Sequence, residues 1–309
     1  MFLKKDRKIS NNITIILLVS FFVLFMTIFA IYDLQISTNI FNQGYEALDW
    51  LKHGFDIYGK TMMAIPIYAT LFIMLNYWLV NMNFNKTWMW LINVSFNLVI
   101  ILTLLLVAFD FNLFIELNWQ DKEKKLEAIF YIIWYIFIIG FIAFCNMVFF
   151  IKKIYKNQLL MNHLFKASIY CLVFIAFSLI TVELFKNLFG RPRPRNVLND
   201  GEDFKYVFEI NFSSKRGKSF PSGHTESAGL MLGLLFYCKK ETKKQKSIFW
   251  IIFGLGLSSL LLTAASRVFI LAHFTTDVTF SIFMIFTYLI TSQLLVDKII
   301  SKRSIKTNG

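Results

Sequence analysis

Polar and apolar residues in this chain segregate into long blocks. Eight apolar stretches, near residues 12–32, 62–82, 88–109, 128–151, 167–189, 222–238, 247–265 and 274–296, are long enough, or nearly so, to cross about 30 Å of hydrocarbon at about 1.5 Å per residue. The pattern predicts an all-α, polytopic membrane protein with about eight transmembrane helices, a single integral membrane domain over 1–309. The sixth stretch is the shortest and opens on polar residues, Ser222 to Ser227. Few charges fall inside the stretches: Glu183, Lys186, Glu226 and Asp277. Lys4, Lys5, Arg7 and Lys8 precede the first stretch, but its apolar run is too long for a signal peptide and no small-residue cleavage pattern follows. It reads as an anchor helix. Residues 33–61 mix Trp50, Leu51, Phe55 and Tyr58 with acids, as an amphipathic segment along the membrane interface would; a passive connector fits the same pattern.

Composition agrees with this picture. The chain is 57% hydrophobic, with 36 Phe, four Pro and a mean hydropathy of +0.58, which excludes a soluble domain of 309 residues. Cys145, Cys171 and Cys238 all lie in apolar runs, so they suggest packing and neither a disulfide framework nor a thiolate zinc site. The formal charge of +13 is unevenly spread. The N-terminus, 83–87, 152–166, 239–246 and the C-terminal tail carry 18 of the 32 Lys and Arg but only Asp6, Glu241 and Asp297 as acids. The charge is therefore an asymmetry across a membrane and not a nucleic-acid footprint. The basic side, with both termini, is expected in the cytoplasm, and 33–61, 110–127, 190–221 and 266–273 on the outer side. The Lys239–Lys246 run reads as a topology determinant, with anionic lipid binding as the alternative. Trp88, Trp90, Trp119 and Trp250 near span ends suit aromatic belts. Gly254, Ser258 and Ala265 predict close helix packing on the seventh span. The oligomeric state is not legible.

Ionisable groups at a membrane boundary are expensive, so three constellations stand out. The first runs from Ser266 and Arg267 to His273 and Asp277. With a helix starting near His273, Asp277 lies on the same face, where its carboxylate can accept one imidazole N–H and leave the other nitrogen free to attack. Arg267 can hold an anion in front of it with paired N–H donors. A snorkelling Arg and an interfacial His would look the same. The second is Lys186 with Arg191-Pro192-Arg193-Pro194-Arg195. Prolines stiffen the backbone where Lys186 and Arg193 can neutralise a phosphate, although alternating Arg residues also suit a surface strip against lipid head groups. Glu183, three residues before Lys186, pairs with it or orients it. The third is Pro221-Ser222-Gly223-His224, where Gly223 and a helix N-terminus form a phosphate cradle beside His224. A plain helix start capped by Ser222 is the alternative.

All three constellations fall on the outer side of that topology. In order and spacing they resemble the signature of the type 2 phosphatidic acid phosphatase superfamily: Lys-x6-Arg-Pro (Lys186, Arg193, Pro194), Pro-Ser-Gly-His (Pro221 to His224) and Ser-Arg-x5-His-x3-Asp (Ser266, Arg267, His273, Asp277), with no position substituted. The resemblance covers roughly 165–296, and 12–61 suits the family's first helix and interfacial segment. The departure is an extra helix pair, 88–151, beside the family's six-helix core. The resemblance implies that His273 attacks phosphorus to form a phosphohistidine while Asp277 holds its tautomer, and that His224 protonates the leaving oxygen and later activates water. It also implies that Lys186, Arg193, Arg267, the Ser222 hydroxyl and the Gly223 N–H bind phosphate, without metal or cofactor. The expected protein is a lipid phosphatase of an inner membrane with a periplasmic active site. Its substrate would be an isoprenoid pyrophosphate, a phosphatidylglycerol phosphate or phosphatidate, or lipid A. The Gly190–Arg195 run and the polar loop holding Asp200, Glu202, Asp203, Lys205, Glu209, Lys215, Arg216 and Lys218 look similar to members acting on lipid A. A lipid-to-lipid phosphotransferase would use the same residues, and a lipid-binding or transport protein with a relict phosphate pocket is the non-enzymatic alternative. A vanadium haloperoxidase shares the pocket chemistry but does not suit eight apolar spans.

Overall fold

The computed structural model describes residues 2–44, 49–108, 121–212 and 216–307, so Trp119 and Lys215, with most of the 110–127 connection, lie outside the described residues. In order, the helices are α1 (Phe2–Asn42), α2 (Asp49–Thr61), α3 (Ala64–Asn81), α4 (Lys86–Ala108), α5 (Lys122–Ile151), α6 (Gln158–Phe189), α7 (Pro194–Asn199), α8 (Gly223–Gly229), α9 (Lys243–Phe269) and α10 (Thr275–Thr307). A 3-10 turn, Ile154–Lys156, precedes α6, and a 3-10 segment, Leu230–Tyr237, follows α8. No strand occurs among the described residues. Seven helical segments there are long and apolar enough to cross a membrane, and the protein is a polytopic, all-helical integral membrane protein.

The elements depart from expectation at three places. Helix α1 runs on to Asn42, because no Gly or Pro interrupts it, so 33–42 is helix and only 49–61 forms the separate amphipathic helix α2. Asp33 is then buried and turned into the bundle. The sixth apolar stretch is not among the seven long helices; it is α8 followed by 3-10 helix. At about 2.0 Å per 3-10 residue against 1.5 Å per α residue, its 7 α-helical and 8 3-10 residues reach about 26 Å, close to a hydrocarbon core. On α9 the packing face is Gly256, Ser259, Leu260, Thr263, Ala264 and Arg267, whereas Gly254, Ser258 and Ala265 are exposed. The small residues picked out on this span therefore do not make the helix contact; Gly256 does, against Leu232.

One core joins α6, the 3-10 segment, α9 and α10 through Cys171, Phe174, Leu230, Leu232, Leu260 and Ile285. At one end of the bundle, Phe185, Phe189, Phe208, Phe220 and Phe280 stack together and pull the 200–221 loop back onto the helices. The helix pair α4 and α5 packs on α3 through Tyr68, Phe72, Leu79, Met89, Ile138 and Ile142. Polar side chains lock that packing. Asn76 and Asn93 exchange amide hydrogen bonds of 2.9 and 2.8 Å, and Tyr68 Oη, Asn97 and Asn146 close a ring of three at 2.8–3.1 Å. In hydrocarbon no water competes for these groups, so a closed circuit fixes which faces meet. Helix α5 also lies along α2. Ala128, Tyr131 and Tyr135 cover Ile57, the Trp134 ring centroid lies 4.6 Å from that of Tyr58, and Glu123 takes Lys52 Nζ at 2.6 Å.

Candidate active site

Four segments meet at the end of the bundle where α6 and α9 finish and α8 and α10 begin. Helix α9 ends at Phe269 because the chain folds back: the Arg267 carbonyl accepts from both the Ala272 N–H (3.0 Å) and the His273 N–H (3.2 Å). That turn fixes His273 relative to Arg267. Pro194 opens α7 and holds Arg193 in an extended conformation before it, and the Arg195 N–H bonds the Leu271 carbonyl at 3.1 Å, so the proline-rich segment is joined to the His273 turn.

His273 is buried, and its Nδ1 lies 2.6 Å from the Ser219 carbonyl. A carbonyl only accepts, so Nδ1 carries the hydrogen and Nε2 of the neutral ring presents a lone pair. Burial, reinforced by the cations Arg193 and His224 against the pull of Asp277, pushes the His273 pKa down to about 4, so the ring is neutral at pH 7. Asp277 Oδ2 is 3.6 Å from Nδ1, too far for a hydrogen bond. The direct acceptor that sets the tautomer is thus Ser219, because His273 precedes α10 and does not sit one helical turn before Asp277. Asp277 acts one step out: its Oδ2 accepts from Ser219 Oγ (2.5 Å) and the Phe274 N–H (2.9 Å), which holds the loop and the turn together.

Arg191 is the hub of that support. It is 1% exposed, donates to Asp277 Oδ1 at 2.6 Å, Asp33 Oδ2 at 2.9 Å, Thr276 Oγ1 at 2.7 Å and the Lys205 carbonyl at 2.9 Å, and its guanidinium centre lies 4.2 Å from the Phe274 ring centroid. The alternating arginines therefore differ in place: Arg191 is buried, Arg193 is half-buried and Arg195 is exposed. Arg191 is structural, and Arg193 has no hydrogen bond or ion pair among the described residues.

The remaining cations come from neighbouring helix ends. Lys186 Nζ is 3.7 Å from Glu183 Oε1, the expected pairing, and would be only 2.8 Å from a Cβ on residue 223. Gly223 thus gives room first to the lysine. Ser222 Oγ accepts from the Thr225 N–H at 3.4 Å and bonds Thr225 Oγ1 at 2.9 Å, so it caps α8, as the plainer reading of that motif had it. Arg267 is 2% exposed; Nη1 donates to Asp56 Oδ1 at 2.9 Å, and Nε is buried without a partner among the described residues. His224 Nε2 lies 3.0 Å from the same Asp56 oxygen, off the line of a hydrogen bond. The two side chains are no further apart than those distances together allow. Among the described residues no three His, Cys, Asp or Glu side chains are grouped to hold a metal ion.

Residues 167–300 match the PAP2 superfamily. The match supports the resemblance of that stretch to the type 2 phosphatidic acid phosphatase superfamily. No curated protein and no solved structure matches the chain. All the signature residues lie inside the PAP2 stretch, but Asp56, Asp33 and α2 do not. The helices before residue 167 complete a site whose motifs follow it. Asp56 and Gly59 carried no signal beyond the amphipathic pattern of 33–61, and Ser219 acts through a backbone carbonyl that no side chain announces.

Proposed function

We propose that this protein is a PAP2 superfamily member and a membrane lipid phosphatase working through a phosphohistidine. The observation that carries the reading is the His273 ring, held neutral with Nδ1–H on the Ser219 carbonyl, so that Nε2 is a nucleophile within the field of Arg193 and His224. In the first half-reaction Nε2 bonds to phosphorus as the ester P–O bond breaks, and the leaving oxygen takes a proton from His224. In the second, water attacks phosphorus, the N–P bond breaks, His224 takes the water proton, and orthophosphate leaves. Arg267, Lys186 and Arg193 stabilise the charge on the equatorial oxygens. The unpartnered Arg267 Nε supports this role, since it is one arm of the paired donor set that suits phosphate.

The substrate class is a lipid phosphate monoester or pyrophosphate, because the site lies at the end of membrane-crossing helices beside the amphipathic α2. The basic segments cluster on the connections at the other end of the helices, which supports a site on the outer face with both termini inside. The test is phosphate release by detergent-purified protein from a panel of lipid phosphates, comparing wild type with His273→Ala. Release lost in the variant is expected. Release from none of the lipids, or equal release by the variant, would overturn the reading.

A further inference from the structure

The phosphatase reading uses two histidines, and the family motifs give an acidic partner only to His273. The second histidine finds one in α2. We propose that Asp56 is a positioning residue for the general acid: it holds His224 and Arg267 in register, and the pair α4–α5 keeps the helix that carries it in place. The proposal rests on the phosphatase reading.

The geometry is specific. Asp56 Oδ1 is shared by Arg267 Nη1 at 2.9 Å and His224 Nε2 at 3.0 Å, while Oδ2 is held by Lys60 Nζ at 2.6 Å one turn along α2. Three residues after Asp56 the helix has Gly59, where a Cβ would stand 2.5 Å from His224 Cδ2 and 2.7 Å from His224 Cβ. The imidazole lies in a notch that only glycine leaves open. Helix α2 is clamped from both sides. Tyr58 Oη donates to Ser259 Oγ at 2.5 Å, and Ser259 Oγ donates in turn to the Ala228 carbonyl of α8, the helix that bears His224. From the other side, α5 supplies Trp134 against Tyr58, Phe130 against Gly54, and Glu123 to Lys52 and His53. The pair α4–α5 therefore reaches the chemistry through α2.

The first half-reaction explains why such a carboxylate is useful. His224 must hold a proton to give it to the ester oxygen as the P–O bond breaks and the bond from His273 Nε2 to phosphorus forms. The groups around it are mostly cationic: Lys60 from α2, Arg267 from α9, Lys186 beside Gly223 from α6 and Arg193 from the proline-rich segment, with the neutral ring of His273 beside them. Glu183 on α6, Glu226 on its own helix and Asp277 on α10 are the other acids nearby, but Asp56 is the one in contact. Without that contact a half-buried imidazole among cations sheds its proton.

Asp56→Asn keeps the shape and removes the charge. In detergent-purified protein, kcat/KM for a lipid phosphate should fall about 10²-fold, the order of a general-acid contribution, and the alkaline limb of its pH profile should move to lower pH. For a nitrophenyl phosphate, whose leaving phenolate needs no proton, the fall should be about tenfold smaller than for the lipid, the remainder being what Arg267 loses with its partner. Gly59→Ala, which displaces the imidazole directly, should reproduce the leaving-group dependence, and it decides the question if Asp56→Asn does not fold. Equal losses on both substrates with an unmoved pH profile would overturn the proposal in favour of a purely structural carboxylate. A rise in kcat/KM would overturn it in favour of a carboxylate that substrate must displace. Failure of the phosphatase reading is seen separately, in wild type and His273→Ala.

Discussion

Replacing Arg191 with Met tests whether this residue holds the site together. The substitution keeps length and apolar volume but strands two carboxylates, Asp33 and Asp277, that are both 0% exposed. Breaking a buried pair by removing one partner costs about 3–5 kcal/mol. Here the cost should stay near that range and not double, because each acid keeps other donors. Asp33 retains the Thr276 N–H and hydroxyl, and Asp277 retains Ser219 Oγ and the Phe274 N–H. At about 2–4 °C per kcal/mol, the thermal midpoint in detergent should fall by roughly 6–20 °C, followed by tryptophan fluorescence. Arg191→Lys should recover only part of it, since one ammonium cannot reach Asp33 and Asp277 with a fixed fork. Adding Asp33→Asn to Arg191→Met removes one stranded charge, so the double variant should be more stable than the sum of the two single losses predicts. A midpoint for Arg191→Met within about 2 °C of wild type, or strict additivity with Asp33→Asn, would refute the reasoning.

The site and the scaffold allow further checks. Because the His273 pKa is pushed down to about 4 from a reference of 6.5, Nε2 stays unprotonated until far below neutrality, so a kcat/KM profile should show no loss of the nucleophile between pH 7 and pH 5. The same shift has a stability consequence: between 6.5 and about 4 the unfolded imidazole binds a proton that the folded one refuses, so its contribution is complete above 6.5 and is lost as pH falls towards 4, which thermal scans across that window would show. Gly223→Ala puts a Cβ where Lys186 Nζ would be 2.8 Å away; kcat/KM should fall about tenfold or more while the thermal midpoint holds, and unchanged kinetics would mean that Lys186 does not serve the phosphate. Asn93→Leu opens the Asn76–Asn93 pair in hydrocarbon and should cost about 1–2 kcal/mol in a thermal scan with activity retained, because the pair locks α4 to α3 far from the chemistry.

How far the sequence could be read depends on whether an interaction is local. The membrane helices were legible because about 20 apolar residues in a row have few other uses. The sixth was the hardest to place, since 3-10 helix covers the distance with fewer residues and offers a hydropathy window less to find. Lys186, Arg193, His224, Arg267 and His273 were legible because each sits in a short run of unusual residue types. Asp33, Asp56 and Gly59 were not. Their partners lie 158 residues away for the Asp33–Arg191 pair and 211 for Asp56–Arg267, and nothing local distinguishes a carboxylate that turns inward from one on the polar face of an interfacial helix. The reading of His273 also shows the limit of spacing. Four residues separate it from Asp277 in either case, but the helix starts at Thr275, and that alone passes the imidazole proton to a backbone carbonyl.

The half-buried acid at Asp56 raises one objection: a carboxylate among the proposed phosphate ligands should repel a phosphate. The arrangement of its contacts answers it. Asp56 is taken up by Arg267 Nη1 and Lys60, which leaves Arg267 Nε, Lys186 and Arg193 to face an incoming dianion. Of the other acids nearby, Asp277 is taken up by Arg191, and Glu183 is 66% exposed and 3.7 Å from Lys186, so water screens most of its effect. Three cationic side chains therefore still face the substrate after Asp56 has been neutralised. On the proposed reading the carboxylate acts where it is in contact, on His224, while Arg267 Nε, Lys186 and Arg193 stay available to phosphate.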